Sequence, residues 1–320
     1  DARIGLDGEF RLVVAAPLPV QFRAEGLLAA GEIEANVTNV MFDVGALNTP
    51  VEGRTVSLTA GRFTGAVRVV GPVNDPDFFG TLEARGVESE IDFIANTLGP
   101  ADTFVVFQEK IVEINRFRVP TGEGYGYLTG TVILNRWTPE EYRLRIEAPE
   151  SPGVRVVYNF GGLFVDGSAQ GDLKIQGTAG RVDISGDILV DETSLTLAEQ
   201  VEQAEKADPR NTATVDLRFE TIGPTEFIWP NQEFPVLRAL AERGEELHLT
   251  YASDTGSFSL QGRMNIQAGE IYYFDRSFYV RDGRILFNED EDDFDPRLAV
   301  RAEIREISTQ GPVRIFLIVD

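Results

Sequence analysis

The chain has no cysteine and a single histidine, His248. Without cysteine there are no disulfides, thiolate zinc sites, iron–sulfur clusters or cysteine nucleophiles. One histidine excludes a His/His metal site within the chain and leaves a single candidate base for any Ser–His–Asp arrangement. Positive charge is scarce as well. Lys110, Lys174 and Lys206 are the only lysines, and 29 basic against 52 acidic side chains give a net charge of −23. Nucleic-acid binders need a basic stripe to displace counterions from phosphate, so that class is excluded. No apolar run approaches the length of about 18 residues that reads as a membrane-spanning helix.

What is present is material for strands. With 42% hydrophobic residues a substantial core is expected and disorder is not. Short runs of β-branched and aromatic residues alternate with polar ones and are punctuated by glycine, as in Leu6–Val14, Gly61–Gly71, Gly171–Gly177 and Phe258–Ile266. An apolar–polar–apolar–polar–Gly pulse recurs at Leu173–Gly177 and Val182–Gly186. Turn signals every 8–12 residues or so predict roughly 20 strands in an antiparallel-rich sheet. An open sheet of that size curls, splits or closes, so a sandwich, barrel, propeller or trough all fit the pattern. Two stretches carry helical spacing and predict short amphipathic helices over Ser194–Ala207 and Pro235–Gly244. No Pro/Ser-rich linker divides the chain. Pro149–Gly153 and Ala207–Asn211 are the best candidate breaks, and a single extended β-domain over 1–320 is expected. The apolar run Val313–Val319, close to the last residue, suggests a piece of a longer protein.

The chemistry-bearing motifs are few. Asn288–Asp295 is acidic, but its glycine and closing glutamate are not at EF-hand offsets, so a solvated hairpin loop is expected and no metal site. His248 lies on an alternating strand opposite in phase to Leu247 and Leu249, which turns it to solvent. Trp137 and Trp229 read as residues packed beside turns. Gly122–Gly126 leads into a strand, not a helix, and so lacks a phosphate-binding helix N-terminus. No cofactor and no catalytic residue are expected.

The segments Leu260–Phe274, Phe278–Phe287 and Asp295–Ala302, with the Gly-closed strand and Asp-Pro turn of Val67–Leu82, resemble the C-terminal domain of the TamB family, within the AsmA-like group of bridge-like lipid-transfer proteins. The resemblance implies an all-β fold: a long curled antiparallel-rich sheet folded as a β-taco with an apolar groove, carrying the one or two short helices. It also implies a phospholipid-transfer conduit in the periplasm of a diderm bacterium. The full-length protein would be anchored in the inner membrane, with phospholipid acyl chains as cargo and a TamA-like outer-membrane β-barrel protein as partner. The other reading is a chaperone or scaffold for outer-membrane β-protein assembly, working by strand addition at a sheet edge. The expected groove lining is the apolar phase of the best-defined strands: Leu173, Ile175, Val182, Ile184, Ile188, Val190, Phe258, Leu260, Met264, Ile266, Ile271, Tyr273, Phe278, Val280, Ile285 and Phe287.

Overall fold

Alternating sequences bury one face of a pleat, and strands are what these segments form. The computed structural model of the chain describes residues 2–4, 8–15, 19–47, 56–91, 94–160, 163–178, 180–197, 212–288, 296–309 and 311–319. Among them are twenty-one strands and one helical turn, Val44–Leu47, so the protein is all-β. The backbone divides into two compact units, residues 1–92, 96–147 and 174–182, and residues 93–95, 148–173 and 183–320. The division after Glu147 falls beside Pro149–Gly153; Ala207–Asn211 lies outside the described residues.

The first unit is built on a meander. Its strands are β1 (Ala2–Ile4), β2 (Glu9–Val14), β3 (Val20–Ala29), β4 (Glu32–Asp43), β5 (Val56–Pro72), β6 (Asp77–Ile91), β7 (Leu98–Glu109), β8 (Ile111–Thr121), β9 (Gly124–Asn135) and β10 (Thr138–Ala148). Each pairs antiparallel with the next. Bulges interrupt the register in six of these ladders, between β3 and β4, β4 and β5, β5 and β6, β6 and β7, β8 and β9, and β9 and β10. Each bulge bends its strand and increases the local twist, so no flat face extends along these strands. Gly80 shows how closely the backbones pack. It has φ +147°, and a Cβ there would lie 2.3 Å from the Ala66 carbonyl oxygen.

The second unit contains β11 (Val154–Phe160), most of β12 (Leu163–Thr178) and β13 (Arg181–Leu197), β14 (Thr212–Thr221), β15 (Thr225–Trp229), β16 (Leu237–Ala241), β17 (Glu246–Ala252), β18 (Ser257–Tyr273), β19 (Arg276–Asn288), β20 (Arg297–Ser308) and β21 (Gly311–Val319). Its pairing is mixed. β13 runs parallel to β15 over Thr193–Thr196, whereas β15, β16, β18, β19, β20 and β21 form a continuous antiparallel ladder. β18 is long enough to pair with two short strands on one side: β17 covers Ser257–Gly262 and β16 covers Ile266–Ile271. β14 closes on the far side of β17.

The helices expected over Ser194–Ala207 and Pro235–Gly244 are corrected here. Ser194–Leu197 is the end of β13, and 198–207 lies outside the described residues. Leu237–Ala241 is β16, with Leu237, Ala239 and Ala241 buried at every second residue. Those five residues satisfy two periods, and β15 and β18 on either side supply hydrogen bonds that a strand uses and a helix cannot. Among the described residues no helix is long and apolar enough to cross a membrane.

Candidate functional site

Two apolar faces compete for a functional role, and they differ in how completely they are filled. In the second unit, register places Leu217, Leu249 and Leu260 in one row and Met264 beside Ile285 in another. All five are buried, and the Phe227 and Phe287 rings meet edge to face at 5.7 Å between centroids. Leu163, Val165, Val190, Leu195, Phe219, Leu247, Leu249 and Leu260, with Thr193, Thr221, Thr225 and Glu245, enclose a void of ≈ 20 Å³. That is room for about one water-sized sphere, far short of a hydrocarbon tail. Glu245, buried at its rim, accepts a hydrogen bond from Asn265 Nδ2 at 2.8 Å, and its backbone N–H donates to Thr221 Oγ1 at 3.0 Å.

Most residues nominated from sequence belong to such packed positions. Ile184, Ile188, Val190, Phe258, Leu260, Met264, Ile266, Ile271, Phe278, Val280, Ile285 and Phe287 are buried in the second unit, and Ile175 is buried in the first. Leu173 and Val182 are half-buried. Tyr273 is 54% exposed. It pairs with Arg276 of β19 immediately before the β18–β19 turn, and on its other side it lies beyond Ile271, where β16 begins, so no strand lies alongside it there.

The first unit presents a face that the sequence did not single out. Leu12, Ala24, Val37, Val67, Gly80, Phe107, Val112 and Val132 are successive register partners across eight strands, β2 to β9. At roughly 4.8 Å per strand the row extends about 34 Å. Ala24 and Val112 are buried; the other six are half-buried. Next to it, Ala35, Val69 and Phe78 form a small core against which Phe10, Ile33, Val37, Val67, Phe107 and Leu134 pack only partly buried. The apolar side of this meander therefore keeps contact area to spare. The polar residues beside the row point the other way. Arg116 stacks on Tyr127 at 3.5 Å and Arg118 on Tyr125 at 4.0 Å from the ring centroids, and Arg116 is ion-paired with Glu147 at 3.0 Å.

Among the described residues no three His, Asp or Glu side chains are placed to hold a metal. His248 is partly exposed, as its phase implies, and its Nε2 lies 2.7 Å from Asp216 Oδ1, tying β17 to β14. An open surface hollow of ≈ 450 Å³ beside it is lined by Asp187, Arg218, Glu220, Glu246 and Gln261 as well as apolar residues. Trp137 donates its indole N–H to the Val73 carbonyl at 2.8 Å and meets Phe78 edge to face, holding a turn. Gly122 and Glu123 form the β8–β9 turn. The acidic stretch from 289 to 295 lies outside the described residues.

Comparison of the chain with protein-family models, with curated proteins and with solved structures gave no match in any of the three.

Proposed function

We propose that the protein is a non-enzymatic, periplasmic lipid-transfer segment in which phospholipid tails lie along the half-buried apolar face of the first unit, moving between inner and outer membranes of a diderm bacterium. The observation that carries the reading is the apolar row from Leu12 to Val132, continuous over eight strands yet mostly half-buried. Enclosing an acyl chain is worth about 0.8 kcal/mol per methylene, so a tail covered on one side gains roughly half of that. Many similar shallow steps let a tail slide, where one deep pocket would hold it. The headgroup stays in water, which removes any need for a charged site. In this reading the full-length protein is anchored in the inner membrane, and the segment folds its sheet around the tails in the β-taco manner of the family it resembles.

The test is a photo-crosslinking side chain placed in cells at Val67 or Phe107, compared with Arg68 on the opposite phase and Ile266 in the packed interior. Phospholipid is expected on the first pair alone. Capture at Arg68, or capture nowhere, rejects the reading. A second reading rests on β21, which pairs with β20 and exposes Val313, Ile315, Phe316 and Ile318. An apolar strand of this kind is a template for strand addition, which suits a scaffold for outer-membrane β-proteins with a TamA-like partner. Crosslinks from Ile318 to a nascent β-protein, with none from Val67 to lipid, would favour it.

A further inference from the structure

Three of the turns in the second unit lie at one end of its ladder. Trp229 pairs with Leu237 and Leu237 with Ile271, so the β15–β16 loop stands beside the β18–β19 hairpin; the Tyr272 N–H donates to the Val236 carbonyl at 2.9 Å between them. Tyr279 pairs with Glu303 and Ser308 with Gly311, so the β20–β21 hairpin follows on the same side. Two of these turns, and the end of the strand that leads into the third, each carry one large, mostly exposed apolar side chain: Phe234 and Phe274 lie in the turns, and Ile307 lies in β20 opposite Pro312. Phe234 is 77% exposed, Phe274 90% and Ile307 91%, the three highest values for large hydrophobic residues among the described ones. Scattered apolar exposure is ordinary, but its three extremes at one end of one ladder are not.

Phe274 adds an independent sign. Its φ is +53°, the left-handed region that a tight hairpin reserves for glycine or asparagine and that disfavours a bulky side chain. A phenylalanine is held there, pointing outward, with Tyr273 against its ring at 4.6 Å.

We propose that this end of the second unit inserts Phe234, Phe274 and Ile307 into the interface of a lipid bilayer. The turns are two strands apart, roughly 10 Å, with polar residues such as Asn231, Glu233 and Asp275 between them. Separate protruding side chains do not make the contiguous apolar centre of a protein interface, whereas a bilayer interface takes each one singly, and a tyrosine beside them suits the headgroup level. The charge selects the kind of bilayer. Arg276 is paired with Glu306 and lies 4.0 Å from Asp275, and Arg281 and Arg305 are both paired with Glu303, so most basic side chains at this end are already neutralised and attract anionic headgroups little in a chain of net charge −23. Insertion is therefore driven by apolar burial into zwitterionic lipid. The inference goes beyond the proposed function: it concerns how the chain meets a bilayer and holds whichever face carries tails.

The experiment is flotation of the full chain with phosphatidylcholine vesicles, comparing the native sequence with the triple variant F234S/F274G/I307S. The native chain is expected to float, and the triple variant to partition at least about tenfold less, since three buried apolar side chains are removed. Its thermal midpoint is expected to stay level or rise, because a glycine at position 274 suits the left-handed turn. As a second measurement, Phe274→Trp is expected to add a component to the emission that shifts to the blue with vesicles. A native chain that stays in the soluble fraction, a triple variant that floats equally well, or an unshifted emission overturns the proposal. A native chain that fails to float, but whose mass in solution falls on triple substitution, assigns the tips to a second copy of the chain and overturns it too.

Discussion

At Glu303, as at Asp75, burial and charge pull in opposite directions and charge wins. The Glu303 side chain is 7% exposed, within 2.8 Å of Arg281 Nη2 and 3.2 Å of Arg305 Nη2. Burial pushes the carboxyl up; the hydrogen bond and charge of Arg281, then the charge of Arg305, outweigh it and hold the group below the usual glutamate value. A carboxyl lowered on folding stabilises the fold fully above its unfolded value, about 4.3, and loses that contribution as pH falls through the lower folded value. Glu303→Gln should therefore lower the urea midpoint clearly at pH 7 and little at pH 3. Equal losses at both pH values would mean that the arginines do not stabilise the ionised form. Glu303 stands opposite Tyr279 on β19 and Phe316 on β21, and its own side chain is mostly covered there.

Among elements, β16 tests how far a pattern can be trusted. Val236, Leu237, Leu240 and Ala241 share a helical face, while Leu237, Ala239 and Ala241 share a strand face, and five residues are too few for one period to win by itself. The two readings part at Ala239, which a helix would leave outside its apolar face and the strand buries completely between Phe227 of β15 and Gly269 of β18. Ala239→Glu should thus cost roughly 3 kcal/mol or more, the penalty of burying an unpaired charge, with Leu240→Gln costing clearly less. Similar urea midpoints for the two variants would restore the helix. Elsewhere alternation was sufficient. Gly61–Gly71 falls inside β5 and Phe258–Ile266 inside β18, because burying one side of a pleat fixes both the period and the phase. The parallel pairing of β13 with β15 was not legible, since alternation says nothing about which strand lies alongside or in which direction.

At the scale of the whole molecule, the candidate site was harder to read than the fold, for a reason visible in particular side chains. The residues nominated from sequence came from the strongest alternation, where Ile, Leu, Met and Phe are large enough to meet one another and close the interior, as Met264, Ile285 and Leu260 do. The row in the first unit interleaves Ala24 and Gly80 with larger residues, so its pattern is weaker and its face is left partly uncovered. Charge shows the same division of labour. Alternation sends the excess of acid to outward phases, where most ion pairs are half-exposed, such as Arg68 with Glu34 and Arg11 with Glu25. Such pairs contribute only about 0–1 kcal/mol each, so they do not offset the mutual repulsion of 23 surplus negative charges. Screening should then stabilise the protein more than it weakens those pairs. Raising sodium chloride from low concentration to about 1 M shortens the Debye length to roughly 3 Å, and each kcal/mol of repulsion relieved lifts the thermal midpoint by roughly 2–4 °C for units of this size. Chloride is the informative salt, because sulfate would strengthen apolar burial as well. A midpoint that falls with chloride would mean that the surface pairs outweigh the repulsion, and that acidity here serves the folded state and not only its solubility.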